Sequence, residues 1–354
     1  MAAPRITDAI EAAADAVRAG ALIGMPTETV YGLAADADQP AAVAQIFQAK
    51  GRPADHPLIV HLAAFDGGMS GVAHYAQHVP AFARQLMAAF WPGPLTLILP
   101  RQPGVAAAAA GGQDSIGLRC PSHPVAQALL LTLRQPAPGV PVVWGLAAPS
   151  ANRFGRVSPT RSAHVQSEFA EVLGAQLLVL EGGDCAVGIE STIIDCTRGA
   201  PVLLRPGGIT ADQVAEACGR TLLSREAQAA LAAGGNQAPR ASGTLASHYA
   251  PSARVRLLDA AGLQAALDAA AREAAVAPGG TAAPALAVYA RARLQVPPSV
   301  AWRTMPADAA VTAHELFAVL RELDALRVQE IWVETPPSDM AWDGVRDRLQ
   351  RAAA

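Results

Sequence analysis

Short apolar runs alternate with helix-like segments through about the first 210 residues, and this alternation constrains the fold more than any other feature. Residues 21–26 (ALIGMP) are typical of a strand, and residues 41–50 (AAVAQIFQAK) of a helix with Val43, Ile46 and Phe47 on one side. Because the connections are short, the helices must cover a sheet, which predicts an α/β domain. Further strands are predicted at 57–62, 94–100, 115–120 and 176–182, a helix at 123–135, and a strand pair at 191–196 and 201–207.

The second half of the chain predicts a linker and a smaller domain. A helix-like SREAQAALAAGG leads into a stretch rich in Gly, Ser and Pro without periodicity, which is typical of a linker. Beyond it, strands and helices alternate again, which favours a Rossmann-like α/β domain with a small parallel sheet. One helix is expected to start with Thr312 and Glu315 in capping-box spacing. The predicted domains are 1–216 and 254–354, with the linker at 217–253; strands of the second domain are predicted at 254–259, 284–290 and 329–337.

The composition indicates a globular protein. Hydrophobic residues make up 51% and charged residues 16% of the 354 residues, unlike the composition of a disordered chain. No uninterrupted run of about 18 apolar residues is present, and residues 1–20 are predicted to form an amphipathic helix that lacks the pattern of a signal peptide. The four cysteines show no zinc-site spacing, so reduced thiols and a cytoplasmic location are predicted. The net charge of -3 argues against a protein that coats nucleic acid through bulk charge.

The standard signatures of nucleotide-binding and hydrolytic sites are missing from the sequence. The single lysine, Lys50, follows Ala49, which excludes a Walker A loop. No GxGxxG follows a predicted strand, no GxSxG or HExxH is present, and the eight histidines show no evident metal-binding set. If this protein handles ATP, it must therefore use another kind of site.

The rarity of lysine singles out one segment. Lys and Arg together number 27, yet only Lys50 is a lysine, and Asn occurs only at Asn152 and Asn236. These residues could have been retained by chance. Alternatively, a coding bias has replaced most lysines by arginine and has left Lys50 where arginine cannot function. A tight pocket can distinguish the two side chains, because lysine ends in a compact ammonium and arginine in a planar guanidinium. Lys50 and Arg52 lie at a predicted helix end, where the helix dipole alone favours cations. Two neighbouring cations also suit a polyphosphate, and the rarity of lysine favours that interpretation.

Polar residues at the ends of predicted strands supply further candidates, each with a structural alternative. Thr29 in PTETVYGL could offer its hydroxyl to a small substrate or satisfy local hydrogen bonds. His56 and His61 flank a predicted strand and suit core and site positions equally. Ser150 and Asn152 in APSANRFG could contact a phosphate or ribose, or form an Asx-type turn.

Two arginines are expected to be held at their base by strands. Arg119 and Arg205 each end an apolar run, and a buried arginine needs an anionic partner. Glu190 or Asp195 could serve Arg205 internally, while Ser191 in GIEST is presented ahead of an apolar strand. Together with the two cations of the KGR segment, these arginines give four cations against few obvious carboxylate partners. That balance suits a pocket for ATP phosphates plus a carboxylate substrate.

Six segments, in this order, closely resemble the motifs of the YrdC-like family. They are PTETVYGL, KGRP–HPLIVH, SIGLR, PSAN–SPT, GIESTIID and LRPG, and they lie between about residues 20 and 210. HYAP (248–251) is similar to the linker motif of the family's long form, which carries an extra C-terminal domain. The resemblance implies a twisted mixed sheet with helices and a basic concave face, followed by a smaller Rossmann-like α/β domain.

The resemblance also implies an enzyme, a nucleotidyltransferase of tRNA processing. The expected reaction joins L-threonine, bicarbonate and ATP to give threonylcarbamoyl-AMP and pyrophosphate, and the product feeds threonylcarbamoyl-adenosine modification of tRNA. Magnesium is expected to bind through the phosphates, since Mg²⁺ often needs few protein ligands. The linker would close over the site, and the protein would touch tRNA only indirectly, with a transient contact to the threonylcarbamoyl-transfer machinery.

The family's residue roles carry over to the matching positions. Lys50 and Arg52 form the family's KxR motif and would be catalytic, and Arg119 would pair with the threonine carboxylate. His56 stands where the family usually has Asn, and the linker matches well only in its HYAP. The expected threonine-binding residues are Thr29, His61, Arg119, Ser150 and Ser191, and the expected nucleotide-binding residues are Lys50, Arg52, His56, Ser115, Ser150, Asn152, Thr160, Arg205, His248 and Tyr249.

Two rival functions stay open at this point. A non-catalytic RNA-binding protein could use the same basic face, and its binding would then depend steeply on salt. A carbamoyl transferase with another acceptor is the second rival, because the same domain type occurs in carbamoyl-adenylate chemistry. The chain contains no acylphosphatase-like or zinc-finger segment, which counts against that second rival.

Overall fold

The fold is described from a computed structural model that covers residues 2–135, 139–235, 237–245, 247–276 and 286–354. The chain forms two compact units. The first consists of Met1–Phe154 and Ser158–Thr244, and the second of Gly155–Val157 and Leu245–Ala354. The boundaries given above for the domains and the linker stay a prediction.

A ten-stranded mixed sheet forms the frame of the first unit. Its strand order is β1-β8-β2-β3-β7-β4-β6-β5-β9-β10. Four neighbouring pairs are parallel, among them β4 with β6 and β5 with β9, and the others are antiparallel. The strands are β1 (Arg5–Thr7), β2 (Ile23–Met25), β3 (Gly32–Asp36), β4 (Ile59–His61), β5 (Leu95–Pro100), β6 (Ser115–Arg119), β7 (Leu146–Ala147), β8 (Leu178–Leu180), β9 (Thr192–Asp195) and β10 (Val202–Arg205).

Helices pack on both faces of this sheet. Side chains alternate across a strand, so that Leu33 and Ala35 of β3 join one hydrophobic cluster and Ala34 joins another. The first cluster also receives apolar residues of α2, α3, α4, α6 and α7, and the second those of α1 and α5. The helices are α1 (Ile10–Arg18), α2 (Pro40–Lys50), α3 (Met69–Tyr75), α4 (Ala81–Phe90), α5 (Pro124–Arg134), α6 (Ser162–Phe169), α7 (Ala211–Cys218) and α8 (Arg225–Ala233).

The predicted α/β pattern of this unit is confirmed, with one clear error. The strand pair expected on either side of the TRGA turn is the antiparallel pair β9 and β10. The helix predicted over residues 1–20 is wrong at its start, because Arg5–Thr7 form strand β1 and the helix begins only at Ile10. Strand β1 lies parallel to β8. That pairing joins residues more than 170 positions apart, so periodicity within residues 1–20 could not reveal it.

A four-stranded sheet forms the second unit, with the order β11-β14-β12-β13. All three neighbouring pairs are parallel, which confirms the parallel sheet predicted from the alternating pattern. Of the strand predicted at 284–290, Leu286–Ala290 form β12, and residues 284 and 285 lie outside the described residues. The elements are β11 (Arg254–Leu258), α9 (Ala260–Val276), β12 (Leu286–Ala290), β13 (Ala301–Thr304), α10 (Ala309–Ala325), β14 (Glu330–Glu334) and α11 (Asp343–Ala352).

The start of α10 differs from the prediction. Asp308 is the N-cap, and its side chain accepts a hydrogen bond from the backbone N–H of Val311 at 2.9 Å. Thr312, the predicted first residue of a capping box, lies one turn inside the helix and donates its hydroxyl to Pro306 O. Asp is as good an N-cap as Thr, so that spacing alone could not choose between the two starts.

Candidate functional site

Four of the expected site residues lie at the same end of neighbouring strands in the ten-stranded sheet. His61 and Arg119 end the parallel strands β4 and β6 and are register partners. Ser191 immediately precedes β9, whose first residues pair with the start of β5. Arg205 ends β10, which runs antiparallel to β9 and therefore finishes beside Ser191. The sheet topology thus brings together residues that are up to 144 positions apart in the chain, counted from His61 to Arg205.

Arg119 lies in a buried polar cluster with the PTET segment. Its Nη1 donates to the Thr29 hydroxyl at 2.8 Å, and the Thr27 and Thr29 hydroxyl oxygens are 2.9 Å apart. Its Nη2 lies 2.7 Å from Glu28 Oε1, and both side chains of this ion pair are almost completely buried. The expectation of few carboxylate partners is therefore wrong for Arg119. Glu28 was missed because nothing local in PTETVYGL links it to a strand 90 residues later.

His61 is buried and held neutral. Burial, together with the neighbouring Arg119 charge, lowers the pKa of His61 to about 3, although the Glu28 carboxylate acts in the opposite direction. Its Nδ1 is buried and has no hydrogen-bond partner among the residues that the structure describes. An uncharged imidazole at this position can donate one hydrogen bond and accept another, but it adds no charge to the site.

Backbone hydrogen bonds tie the PTETVYGL and APSANRFG segments to each other. Tyr31 O accepts from Ala151 N at 2.7 Å, and Leu33 N donates to Pro149 O at 2.8 Å. Gly32 and Ser150 form an isolated antiparallel bridge. The loop that carries Ser150 and Asn152 is therefore fixed against the segment that carries Thr29, so that the three candidate residues are held near one another.

Lys50 is the last residue of α2 and points into this loop. Gly51 ends the helix in the left-handed conformation at φ 63°, which suits a glycine C-cap. The Lys50 Nζ donates to Ser150 O at 2.6 Å and to Asn152 O. Burial, together with the nearby Arg52 charge, lowers the pKa of Lys50 well below its usual value. The Lys50 ammonium thus binds a loop about 100 residues away in the sequence. A cation that only complemented its own helix dipole would not need this contact.

The apex of the same loop contacts the KGR segment. Phe154 N donates to Lys50 O at 2.8 Å, and the Arg52 guanidinium lies 5.8 Å from the centre of the Phe154 ring. The ring of His56 meets the Phe154 ring edge-on at 5.5 Å. Burial, then the positive charge of Arg52, lowers the pKa of His56. Phe154 was not predicted as a site residue, and an aromatic side chain in the loop that follows Ser150 and Asn152, able to pack against a cation, is the signal that could have indicated it.

Arg52 and Arg205 converge on Ser242. Arg205 Nη1 donates to Ser242 O at 2.9 Å, and Arg52 Nη2 lies 3.5 Å from the Ser242 hydroxyl. Arg205 also donates to Ser191 O from Nε and Nη2, at 3.1 and 2.9 Å. Asp195, one suggested partner of Arg205, instead binds Arg198 at 2.6 Å. Two cations from different motifs thus share one residue of the predicted linker.

Gly207 allows the backbone after β10 to contact the Ser191 segment closely, because glycine has no side chain. A Cβ at this position would lie 2.4 Å from Thr192 N and 2.7 Å from Glu190 O, both backbone atoms. The glycine of the LRPG motif therefore lets the chain after β10 pass directly over the GIEST turn. Ser191 itself is buried, and its hydroxyl lies 2.7 Å from that of Thr96.

A cleft over the sheet face is lined in part by Ser242, the residue that Arg52 and Arg205 contact. Ile59, Thr96 and Gly117, from three neighbouring strands, form part of its floor. Ser115 lines the same cleft but starts β6, so that it lies at the end of the strand opposite to Arg119. The predicted linker covers the cleft: Arg240, Ala241 and Ser242 line it, and Arg240 Nη1 bonds Asp55 Oδ2 at 2.9 Å.

The remaining expected residues have simple surroundings. Asn152 is buried, its Nδ2 donates to Arg153 O at 2.8 Å, and its Oδ1 lies 3.5 Å from the Ser158 hydroxyl. Ser158 Oγ also lies 2.5 Å from Glu190 Oε1. The Thr160 hydroxyl is buried and accepts or donates no hydrogen bond within the described part of the chain.

His248 and Tyr249 belong to the second unit. His248 N donates to Arg351 O at 3.1 Å, and the Tyr249 ring packs 5.4 Å from Phe317 of α10 and 5.3 Å from the guanidinium of Arg348. Tyr249 has a φ of 64°, which is uncommon for a residue with a side chain. Their predicted contact with a nucleotide stays a prediction.

The described residues contain neither a metal-binding cluster nor a membrane-spanning helix. No group of three or more His, Cys, Asp or Glu residues in that part of the chain could hold a metal ion. None of the helices described there is long and apolar enough to cross a membrane.

The chain is similar to known proteins over its whole length. The family model for Sua5, YciO and YrdC proteins, described as "Telomere recombination", matches residues 15–207. A second family model, described as "Threonylcarbamoyl-AMP synthase, C-terminal domain", matches residues 209–354.

Individual relatives agree with the family models. Threonylcarbamoyl-AMP synthase of Pyrococcus abyssi is 40% identical over 250 residues, which are 71% of this chain and 68% of that protein. The Bacillus subtilis protein of the same name is 38% identical over 251 residues, 71% of this chain and 66% of that protein. A crystal structure of P. abyssi Sua5 complexed with L-threonine matches with a TM-score of 0.80 and 31% identity, covering 100% of this chain and 97% of that one. The chain therefore belongs to the Sua5, YciO and YrdC family, in the form that carries the Sua5 C-terminal domain.

Proposed function

We propose that this chain makes threonylcarbamoyl-AMP and pyrophosphate from L-threonine, bicarbonate and ATP. The observation that carries the proposal is that two groups of polar residues lie close together in the first unit, linked by the Ser150 loop and by the Ser191 segment, so that they form the two ends of one site. We call Lys50, Arg52 and Arg205 the phosphate end, and Glu28, Thr29 and Arg119 the amino-acid end. The relatives named threonylcarbamoyl-AMP synthase, and the similar P. abyssi structure with L-threonine, support the same reaction.

The amino-acid end suits a small hydroxy amino acid. Arg119 offers a guanidinium that can pair with a carboxylate, and Thr29 offers a hydroxyl 2.8 Å from it. His61 and Ser191 lie at the same sheet edge and can form hydrogen bonds without adding charge. We therefore propose that threonine binds here, and that Ser150 contacts it from the loop that is bonded to the PTET segment.

The phosphate end suits the triphosphate of ATP. Arg52 and Arg205 both contact Ser242. Lys50 binds the loop of Ser150 and Asn152, and the same loop continues to Phe154, which lies beside Arg52. Charge-assisted hydrogen bonds from these groups would stabilise negative charge on phosphorus oxygens. The other proposed nucleotide contacts are His56, Ser115, Ser150, Asn152, Thr160, His248 and Tyr249.

The proposed chemistry needs positioning more than covalent catalysis. The threonine ammonium loses a proton, and the amine combines with bicarbonate, releasing water and forming an N–C bond to give a carbamate. A carbamate oxygen then bonds to the α-phosphorus while the bond between the α-phosphorus and the bridging oxygen to the β-phosphate breaks, releasing pyrophosphate. Because both substrates would lie in one site, Lys50 and Arg52 would mainly neutralise the charge that develops at phosphorus.

Magnesium is proposed to accompany the ATP. Mg²⁺ keeps several waters and is commonly bound through substrate phosphates and one or two carboxylates, so the residues present are compatible with it. When bound, it would neutralise phosphate charge together with Lys50, Arg52 and Arg205. The cytoplasmic location, the indirect contact with tRNA and the transient contact with a transfer machinery stay predictions.

Pyrophosphate release tests the proposed function directly. The purified protein is given ATP, magnesium, L-threonine and bicarbonate together, and each substrate is then omitted in turn. Release that needs both threonine and bicarbonate, with threonylcarbamoyl-AMP identified by mass, is the expected result. Folded protein that binds ATP but releases no pyrophosphate would refute the proposal, and steeply salt-dependent RNA binding would then favour the RNA-binding alternative.

A further inference from the structure

Glu28 is a buried carboxylate at the amino-acid end to which no role in the reaction has been assigned. The residue is 6% exposed and its partner Arg119 is 3% exposed. Their side chains meet at 2.7 Å, between Glu28 Oε1 and Arg119 Nη2. Burial alone would raise the pKa of Glu28, but the positive charge of Arg119 at this short distance holds it below the usual value. The carboxylate is therefore ionised, and the pair as a whole carries no net charge.

The carboxylate keeps unused hydrogen-bonding capacity. Neither Glu28 oxygen accepts a hydrogen bond of ordinary geometry from a residue in the described part of the chain. Arg119 Nη2 lies 2.7 Å from Glu28 Oε1, and the backbone N–H groups of Glu28 and Ser122 also lower the pKa of the carboxyl group. A carboxylate has about four lone-pair sites, so a donor that a ligand brings next to Glu28 would find an acceptor.

Charge balance indicates which donor fits. Adding a simple carboxylate to a buried neutral pair would leave one uncompensated negative charge, which is costly in a low-dielectric site. An amino acid carries an ammonium and a carboxylate on one carbon and is neutral overall. Placed beside the pair, its two charges can each lie next to the opposite charge, so that the site stays neutral when it is filled.

We propose that Glu28 binds the amino group of threonine while Arg119 binds its carboxylate, so that this ion pair selects an amino acid over a hydroxy acid. The inference rests on the proposed function, since threonine is the substrate assumed. After the amine has become a carbamate, Glu28 can still accept its N–H, and its charge repels the new carbamate oxygens. That repulsion favours a carbamate directed away from Glu28.

The competing explanation is that Glu28 only orients Arg119. The two roles differ in what they do to a ligand without an amino group. (R)-3-hydroxybutyrate is threonine with hydrogen in place of the ammonium, so it can use Arg119 and Thr29 but offers nothing to Glu28. A residue that only positions Arg119 affects both ligands equally, whereas a residue that binds the ammonium affects threonine alone.

The experiment measures the Kd of L-threonine and of (R)-3-hydroxybutyrate by calorimetry for the full chain and for Glu28→Gln. We expect the Kd of threonine to rise by about 10- to 100-fold, the loss typical of a charged hydrogen bond. The Kd of (R)-3-hydroxybutyrate should stay unchanged or fall, because Arg119 loses its internal counter-charge. An equal rise for both ligands, or no change for either, would overturn the proposal.

Two further variants keep the result interpretable. Asp195→Asn removes the carboxylate of another buried ion pair, that of Asp195 with Arg198, and should leave the ratio of the two Kd values unchanged. If Glu28→Gln does not fold, Glu28→Asp decides: a rise in Kd confined to threonine supports the proposal, and an equal rise opposes it. The pyrophosphate assay on the unaltered chain distinguishes a failure of the proposed function from a failure of this inference. If the proposed function is wrong, the unaltered chain releases no pyrophosphate. If only the role of Glu28 is wrong, the unaltered chain still releases it.

Discussion

The two ends of the proposed site hold their cations in different ways. At the phosphate end, Lys50 donates to the carbonyl oxygens of Ser150 and Asn152, and Arg205 to those of Ser191 and Ser242. At the amino-acid end, Arg119 is paired with the ionised carboxylate of Glu28. Carbonyl oxygens orient a cation without cancelling its charge, whereas a carboxylate does both.

This difference corresponds to the ligands proposed for each end. A triphosphate brings several negative charges, and Lys50 and Arg205, which these carbonyl oxygens orient, can stabilise them. A zwitterionic amino acid brings no net charge, and a neutral pair of side chains can accept it without leaving a charge unpaired. Four predictions, in order of decreasing effect, test this contrast.

Lys50→Arg should cause the largest change. The planar guanidinium cannot occupy the place of an ammonium that bonds two carbonyl oxygens of one loop, so we expect kcat/KM for ATP to fall by about 10²-fold. Because the change is confined to the phosphate end, the Kd of threonine should change little. Steady-state kinetics and calorimetry measure the two quantities. Near-normal turnover by this variant would show that the ammonium has no special role.

Gly207→Ala should affect both ends together. Its Cβ would lie 2.4 Å from Thr192 N, and the backbone of the Ser191 segment must then shift. We expect the free energy of unfolding to fall by about 2 kcal/mol, as is usual for overpacking. Displacement of Ser191 should lower kcat/KM for ATP and for threonine by about 30-fold each. Gly208→Ala provides the control for adding a methyl group to the same segment, because a Cβ there would meet only the Val187 side chain, at 3.4 Å. An effect on only one substrate would contradict a shared segment.

The pH dependence of the two KM values should differ. The lowered pKa of Lys50 means that its proton is lost below the usual lysine value of about 10.4. The deprotonated amine attracts phosphate less, so KM for ATP should rise with pH above that pKa, by up to about tenfold per pH unit. KM for threonine should show no inflection near 6.5, because His61, with a pKa of about 3, is already neutral. The Lys50→Arg variant should lack the alkaline rise in KM for ATP; its persistence would assign the rise to another group.

Arg240→Ala should have the smallest effect. Its ion pair with Asp55 is about half exposed on both sides, at 51% and 59%. Exposed pairs contribute little because water and salt screen them, so we expect KM for ATP to change by less than about threefold. A change as large as that of Lys50→Arg would mean that this part of the chain contributes more than an exposed ion pair.

Local pattern was sufficient to predict several elements. Helix α2 follows from the spacing of Val43, Ile46 and Phe47, and the pair β9 and β10 from two apolar runs around a short turn. Each of these signals lies within a window of about 20 residues and depends on which side chains become buried. Where two local choices have similar energies, as for Asp308 and Thr312 at the start of α10, the pattern chose the wrong one.

The sequence by itself determined which residues are candidates for the site, because rare types such as Lys50 and ordered motifs such as LRPG can be read without coordinates. Only the tertiary structure decided their partners. The pairing of Arg119 with Glu28, the bonds of Lys50 to a loop 100 residues away and the meeting of Arg52 with Arg205 at Ser242 depend on strand order and on chain crossings. Contacts of that kind are set by long-range packing, for which periodicity within one element contains no information.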